Sequence, residues 1–567
     1  MYYDSKISIP NVTGKITISR KKYVMYETGR KYHADKKYNI PERVTIGKLC
    51  GEDGMMMPNE NYFLYFPDET VQETDSKIKR SSCLKIGTFL VVKKILEEYG
   101  LDMLIDSIFD DSGLFMDLIM YSIVEENNAG QYYPDYAYNH PLFTPNQKIY
   151  SDTKVSGFFK SITDDQRIDF IDKWNAKKDH KNRIYISYDS TNKNCQAGEI
   201  NLAEYGHAKA DKTKPVINYS IGYDHNNKEP LFYEEYPGSI VDISQLDYMI
   251  NKAAGMGYKN IGFVLDRGYF CKNNLRHLDE KGYPFIIMAK GNTKFINGFV
   301  KKVEGSFEED RRYRISKYRV NGKTVKGKLF NTEETERYIH VYFNLTRAAA
   351  ERENFETKIG IMDRNFKKLI GTKTDTSGLE DYFRFEKDKE GVIAAVFQKN
   401  NEIEKCKKRM GYFVIVTSRR MSAKEALYLY KSRDESEKLF RADKSYLGNR
   451  TYRVQIDESI KGKTLVEFVA LIVRNKIFTY LDETVEENVK KANYLTVPAA
   501  IRELEKIEIV RQSDGLYRLD HAVTATQKII LKAFGISASS IPGKAKYLAN
   551  ELAKVDKISL SVKKTGS

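Results

Sequence analysis

Residues Met421–Leu447 read MSAKEALYLYKSRDESEKLFRADKSYL. Ser422 with Glu425 three positions on is a capping box, which satisfies the free amides of a first helical turn. Ala423, Ala426, Leu427 and Tyr430 follow at helical spacing, and the stretch holds neither Gly nor Pro, so the pattern predicts one helix throughout. At about 100° per residue, with Tyr430 at 0°, Arg433, Glu437 and Lys444 fall near −60°, −20° and −40°. The four share an arc of about 60° on a stripe about 21 Å long. Arg441 lies beside it near +20°, whereas Glu435 points about 140° away. One face therefore carries an acid set between cations and a phenol. Alone, such a face is a solvated helix surface with favourable Glu–Lys pairs. What lies upstream gives it another meaning.

Two upstream strands each deliver an acid. Arg183–Tyr188, RIYISY, runs into Asp189-Ser190-Thr191, and Ile261–Leu265, IGFVL, runs into Asp266-Arg267-Gly268. A polar triplet such as Asp-Ser-Thr after a strand is ordinarily a turn. The unbroken apolar run of IGFVL is what a strand covered on both faces requires. Between them lie a hairpin about Asp224–Asn227 and an amphipathic helix, VDISQLDYMINKAAGMGY. After them come a helix, CKNNLRHLDEKG, and a strand, PFIIMAK. Gly255-x-Gly257 follows a helix and not a strand, so it is no dinucleotide fingerprint. The order predicts a mixed α/β sheet with two acids at the ends of neighbouring strands.

Residues 181–290 and 406–480 form this core, with GYFVIVTS (Gly411–Ser418) leading straight into the Glu437 helix. The charged, alternating segments of 291–405 read as a β-rich insertion. Residues 1–75 read as a basic β-rich module, either a structural appendage or a contact for DNA backbone. Residues 76–180 have helical apolar spacing and a capping box at Thr163 and Gln166, a helical region for DNA binding or dimerisation. Trp174 within it reads as a core anchor. Residues 481–567 read as a small, mainly helical domain with a disordered Lys-rich end.

Composition narrows the partners. The 567 residues hold 93 Lys and Arg against 78 Asp and Glu, a net charge of +15, which favours a polyanion, nucleic acid before membrane. The five Cys lack CxxC spacing and the eight His show no metal-ligand spacing, so neither a disulfide framework nor a zinc site is expected. No apolar run approaches the length of a membrane span, and no signal peptide is visible. A cytoplasmic location is expected.

Two strand-end Asp followed by a helical Glu resemble the Asp-Asp-Glu triad of transposases with a ribonuclease-H-like catalytic core. Tyr430, Arg433, Glu437 and Lys444 spell Y-x2-R-x3-E-x6-K without a gap, a signature similar to that of one large superfamily of bacterial insertion-sequence transposases. Asp266-Arg267-Gly268-Tyr269 resembles the second-Asp motif of the same group. The likeness covers about residues 181–480. It implies Asp189, Asp266 and Glu437 as catalytic and metal-binding residues for two Mg²⁺ (or Mn²⁺) ions. It implies Tyr430, Arg433, Arg441 and Lys444 as DNA-binding residues. The function implied is cut-and-paste transposition: cleavage at terminal inverted repeats and strand transfer into target DNA by a homodimer in a synaptic complex at the bacterial nucleoid. Two alternatives stay open, a metal-dependent nuclease on the same core and a transposase-derived, non-catalytic DNA-binding regulator. In relatives the resemblance also implies a Trp of the insertion stacking on a flipped base. Here the only Trp is Trp174, upstream of the core, so either one of Tyr313, Tyr318, Tyr338, Tyr342 and Phe343 of the insertion takes that task or the device is absent.

Overall fold

All five residues of Ile261–Leu265 are buried in the computed structural model of the chain, with a parallel strand on either side. That strand centres one of two units, residues 159–475; the other combines 1–158 with 476–567. The structure describes residues 2, 7–34, 36–51, 54–67, 80–178, 183–195, 200–206, 208–240, 246–258, 260–290, 294–330, 335–486, 492–513 and 515–556. Side chains at 188, 189, 246, 247, 249, 294, 295, 435, 436 and 486 lie outside that description, as does the Lys-rich end expected to be disordered.

In the 159–475 unit the strands are β1 (Ile184–Cys195), β2 (Val216–Asp224), β3 (Glu229–Pro237), β4 (Ile261–Leu265) and β5 (Phe285–Met288). They are followed by β6 (Arg314–Ile315), β7 (Val320–Lys328), β8 (Glu336–Phe343), β9 (Phe383–Lys387), β10 (Ile393–Gln398), β11 (Tyr412–Thr417) and β12 (Thr451–Tyr452). The first five lie in the order β3-β2-β1-β4-β5. The β1–β2 and β2–β3 pairs are antiparallel, and β1, β4 and β5 are parallel. Helices α1 (Leu246–Gly255) and α2 (Lys272–Glu280) make the two parallel crossovers. This is a ribonuclease-H-like arrangement, a mixed sheet with flanking helices. Gly262 is required where it stands, because a Cβ there would lie 2.5 Å from the ring of Tyr185 on β1.

Most strands between β5 and α3 (Ala423–Lys431) join the core sheet, and the hairpin β9–β10 pairs apart from it. Strand β11 pairs antiparallel with β5 and also with β8, and β7 and β6 follow outward, so these strands prolong the core sheet. The hairpin β9–β10 has its own small core of Ile359, Phe366, Phe383 and Ile403.

The sequence predicts that β1 stops at Tyr188; instead it continues to Cys195. Residues 189–194 pair with β2, and Asn194 and Cys195 also pair with β12. The side chains from Ser190 to Asn194 are buried, and the last three of them have polar partners. The Asn194 amide donates to the Asp211 carbonyl at 2.8 Å, and Asn192 Oδ1 accepts from the Lys209 amide at 3.0 Å. Fully buried Lys193 is paired with Asp443 and Glu467 at 3.1 and 3.0 Å.

The 1–158 and 476–567 unit contains a five-stranded sheet over residues 7–58 with a core of Val24, Ile46, Met56 and Tyr62. It also holds the helix Glu60–Tyr65, four helices between Gly87 and Asn139, a three-stranded sheet and the helices Val497–Leu504, Ala525–Ala533 and Ile541–Val555. Trp174, in the other unit, is 1% exposed with its indole N–H on the Pro230 carbonyl at 3.0 Å, a core anchor. No helix among the described residues is long and apolar enough to cross a membrane.

Candidate active site

Backbone register brings the two aspartates together. Tyr188 of β1 is paired with Leu265 of β4, so Asp189 and Asp266 follow at adjacent positions on neighbouring parallel strands. There β4 ends while β1 runs on, and β12 takes up its edge only at Asn194. A crevice of this kind, beyond the carboxyl end of a strand in an open sheet, is where α/β folds bind ligands. The Asp189 backbone lies in this gap's floor; its side chain is outside the described residues. Asp266 caps the short turn Arg267–Tyr269, its carboxylate accepting from the Arg267 amide at 2.7 Å.

The third acid arrives from the helix. The Ser422–Glu425 capping box is formed, and α3 buries Ala423, Ala426, Leu427 and Tyr430 against Val264, Ile286 and Ile415 of the sheet. The single helix predicted through Leu447 is interrupted at Ser432-Arg433, and α4 (Asp434–Tyr446) continues from there. The Ser432 hydroxyl donates to the Leu429 carbonyl at 2.6 Å, and the Arg433 amide bonds Tyr430 three residues back at 3.2 Å. Such back-bonding tightens and bends helices without Gly or Pro.

The break leaves Arg433 between the acids. One guanidinium nitrogen, Nη2, is 2.5 Å from Glu437 Oε1 and 3.5 Å from Asp266 Oδ1. Two acids distant in sequence thus share one cation. Arg433 is 11% exposed on its side chain and Glu437 54%, so the pair opens to solvent through Glu437. Tyr430 is buried with its hydroxyl bonded to Arg433; burial pushes its pKa up to about 12, and the Arg433 charge pulls it back. Lys444 is partly buried, and burial together with Lys209, Lys193 and Arg450 brings its ammonium down to about 8. Arg441 is exposed on α4.

Two residues of this region are invisible to sequence reasoning. Lys209 donates its ammonium to the Ser190 carbonyl at 2.7 Å. That carbonyl faces the crevice, since the even-numbered amides of β1, at Ile184 and Asn194, bond toward β4 and β12. Lys209 is one of several lysines in a polar loop, and no spacing marks it. His225 is edge-on to Tyr223 at 5.4 Å. Burial, then the nearby Arg433 charge, lowers its pKa to about 3, so a neutral imidazole sits beside the guanidinium. Of the insertion aromatics, Tyr342 is fully buried, bonds the Ala423 carbonyl at 2.7 Å and stacks on Phe413 at 4.9 Å, so it is core and not a base platform. Tyr313, Tyr318, Tyr338 and Phe343 are partly exposed.

Among the described residues no three His, Cys, Asp or Glu side chains cluster to hold a metal ion. Asp266 and Glu437 do fit one, because hard divalent cations bind through carboxylate oxygen and the two already converge on a positive charge.

A mixed sheet of this order, with acids gathered beyond the end of its central strand, defines a ribonuclease-H-like protein. The model of the transposase DDE domain matches residues 186–457, from β1 through α4 and β12. That stretch is therefore similar to the DDE domain of transposases. No curated protein matches the chain. Among solved structures it aligns with a piggyBac transposase synaptic complex with hairpin DNA, at 8% identity and a TM-score of 0.33. That alignment covers 88% of this chain and 89% of the other, a likeness too distant to assign residues.

Proposed function

We propose that this protein is a cut-and-paste transposase whose Asp189, Asp266 and Glu437 hold two Mg²⁺ or Mn²⁺ ions at the crevice between β1 and β4. The observation that carries it is the convergence of Asp266 and Glu437 on a single guanidinium nitrogen. Bound divalent ions would supply activation of the attacking oxygen and neutralisation of the leaving one. The chain's own part is placement. The Arg267 amide orients Asp266, and the break at Ser432 turns Glu437 toward it. Arg433 exchanges its carboxylates for a DNA phosphate, and Lys444 and Arg441 hold further phosphates along α4. In the first step a water oxygen attacks phosphorus, the bond to the 3′ oxygen breaks, and that oxygen leaves as a 3′-hydroxyl. In the second, this hydroxyl attacks a target phosphodiester and displaces another 3′ oxygen, so the number of phosphodiester bonds is conserved. Two copies, one at each end of the element, form the synaptic homodimer, which acts at the bacterial nucleoid.

The test uses the purified chain, a plasmid carrying the DNA that flanks its gene on both sides, and Mg²⁺ or Mn²⁺. Cleavage at matched inverted repeats, followed by joining of the freed 3′ ends to a second plasmid, is the expected result. Cleavage without joining marks a nuclease. Repeat binding without cleavage in either metal marks a regulator and overturns the proposal.

A further inference from the structure

Strands Tyr23–His33 and Tyr38–Leu49 pair with each other to the tip, but their support stops early. Ile16–Ser19 pairs only with Tyr23–Tyr26, and Met55–Pro58 only with Gly47–Leu49 in this hairpin. From the Gly29–Glu42 pair to the His33–Tyr38 pair, the two strands pair with no other strand among the described residues. The result is an arm roughly 17 Å long at about 3.4 Å per residue. A free two-stranded ribbon gains little from its own packing, so its side chains are informative about what it meets.

The arm has no core face. Arg30 and Tyr32 lie on one side, Lys31, His33 and Tyr38 on the other, and Tyr32 and Tyr38 are 63% and 56% exposed. A cation and an aromatic thus alternate on both faces, where a sheet strand would keep one face apolar. Residues 28–43 carry five Lys and Arg against two Asp and Glu. Among the described residues Lys31, Lys36 and Lys37 enter no ion pair, whereas Arg30 and Arg43 share Glu27 at the root, at 2.8 and 3.6 Å. Glu27 is 9% exposed on its side chain, a fixed anchor that orients two guanidinium groups before any ligand arrives.

We propose that this arm enters a groove of duplex DNA, with both faces against the groove walls and its lysines on the flanking phosphates. The major groove admits a two-stranded ribbon, Lys and Arg supply sequence-independent affinity, and exposed Tyr contacts sugar and base edges. A membrane surface fits less well, since the arm has no apolar face to bury. The inference rests on the proposed function only in taking DNA as the partner.

The test is duplex binding by the full chain across a range of salt, by fluorescence anisotropy. The probes are a short labelled duplex from the DNA flanking the gene and one of random sequence. The triple variant Lys31→Gln, Lys36→Gln, Lys37→Gln is expected to make the plot of log affinity against log salt shallower by about 2 to 3, near 0.9 per phosphate contact. Its thermal unfolding should be unchanged, because all three side chains are exposed. The double variant Tyr32→Ser, Tyr38→Ser should weaken binding severalfold at unchanged slope. An unchanged slope in the triple variant overturns the proposal. So does arm-dependent binding of wild type to phosphatidylserine vesicles in place of DNA. Glu437→Gln separates this proposal from the catalytic one. Arm-dependent binding by a wild-type chain that cleaves no better than Glu437→Gln removes only the catalytic reading, and wild-type cleavage with no arm dependence of binding removes only the arm.

Discussion

Replacing Arg433 with Gln removes a cation that Asp266 and Glu437 share and leaves a shorter, neutral polar side chain. Its two contacts, 2.5 and 3.5 Å from the same nitrogen, involve carboxylates that are 54% and 36% exposed. Unit charges 4 Å apart attract by about 4 kcal/mol at an effective dielectric of 20 and about 1 kcal/mol in water. With exposure on this scale the lower figure applies, and exposed pairs rarely exceed about 1 kcal/mol. Two contacts thus amount to about 1–2 kcal/mol that a divalent ion must overcome before it binds the same oxygens. That is roughly a five- to thirtyfold effect on an equilibrium constant. Free Mn²⁺ can be followed by electron paramagnetic resonance as it is titrated into DNA-free protein. Arg433→Gln should bind Mn²⁺ five- to thirtyfold more tightly than wild type, and duplex DNA less tightly. Adding duplex should tighten Mn²⁺ binding by wild type more than by the variant, because a phosphate draws the guanidinium off the acids. Equal or weaker Mn²⁺ binding by DNA-free Arg433→Gln would refute the reasoning, since the arginine would then be holding the acids in place and not competing for them.

Asp189→Ala, Asp266→Ala and Glu437→Ala should each abolish cleavage of end-containing plasmid while duplex binding persists; Glu435→Ala should cleave normally, and the reverse pattern for 435 and 437 would place the wrong face of α4 in the site. Lys444 has its pKa lowered to about 8, and phosphate binding favours its charged form, so duplex affinity should fall as pH rises through about 8. Lys444→Arg should flatten that dependence in anisotropy titrations, and an identical pH profile would assign the titration elsewhere. Lys193→Met leaves Asp443 and Glu467 buried without their shared cation, which should cost about 3–5 kcal/mol in urea unfolding. A loss within error of zero would mean that the two acids take up protons in the folded chain.

Legibility in the sequence followed the range over which each feature is determined. IGFVL declares a buried strand because five apolar residues in a row leave no polar face, and both capping boxes are set by residues three apart. The second half of β1 is different. DSTNKNC has the composition of a turn, and it is a strand only because its partners stand far away in sequence: Asp211 for Asn194, Asp443 and Glu467 for Lys193. The break at Ser432 was hidden for a similar reason. Ser in a helix either faces solvent or bonds back to the preceding turn, and local sequence does not choose between them. Tyr342 sits in an alternating segment, RYIHVYF, that shows two faces without saying which one α3 will cover.

Once α3 and α4 are separate helices, the capping box no longer fixes the direction of Glu437, and the constraint must come from the far end of α4. Asp443, six residues beyond Glu437, is held by Lys193 at 3.1 Å and by the Asn449 amide at 2.7 Å. Lys193 lies four residues beyond Asp189 on the same strand. The strand that bears the first acid therefore also anchors the helix that bears the third. Asp266 joins them through the parallel register of β4 with β1. All three positions are thereby referred to one strand, and the segment most easily dismissed as a turn is the one that sets their spacing.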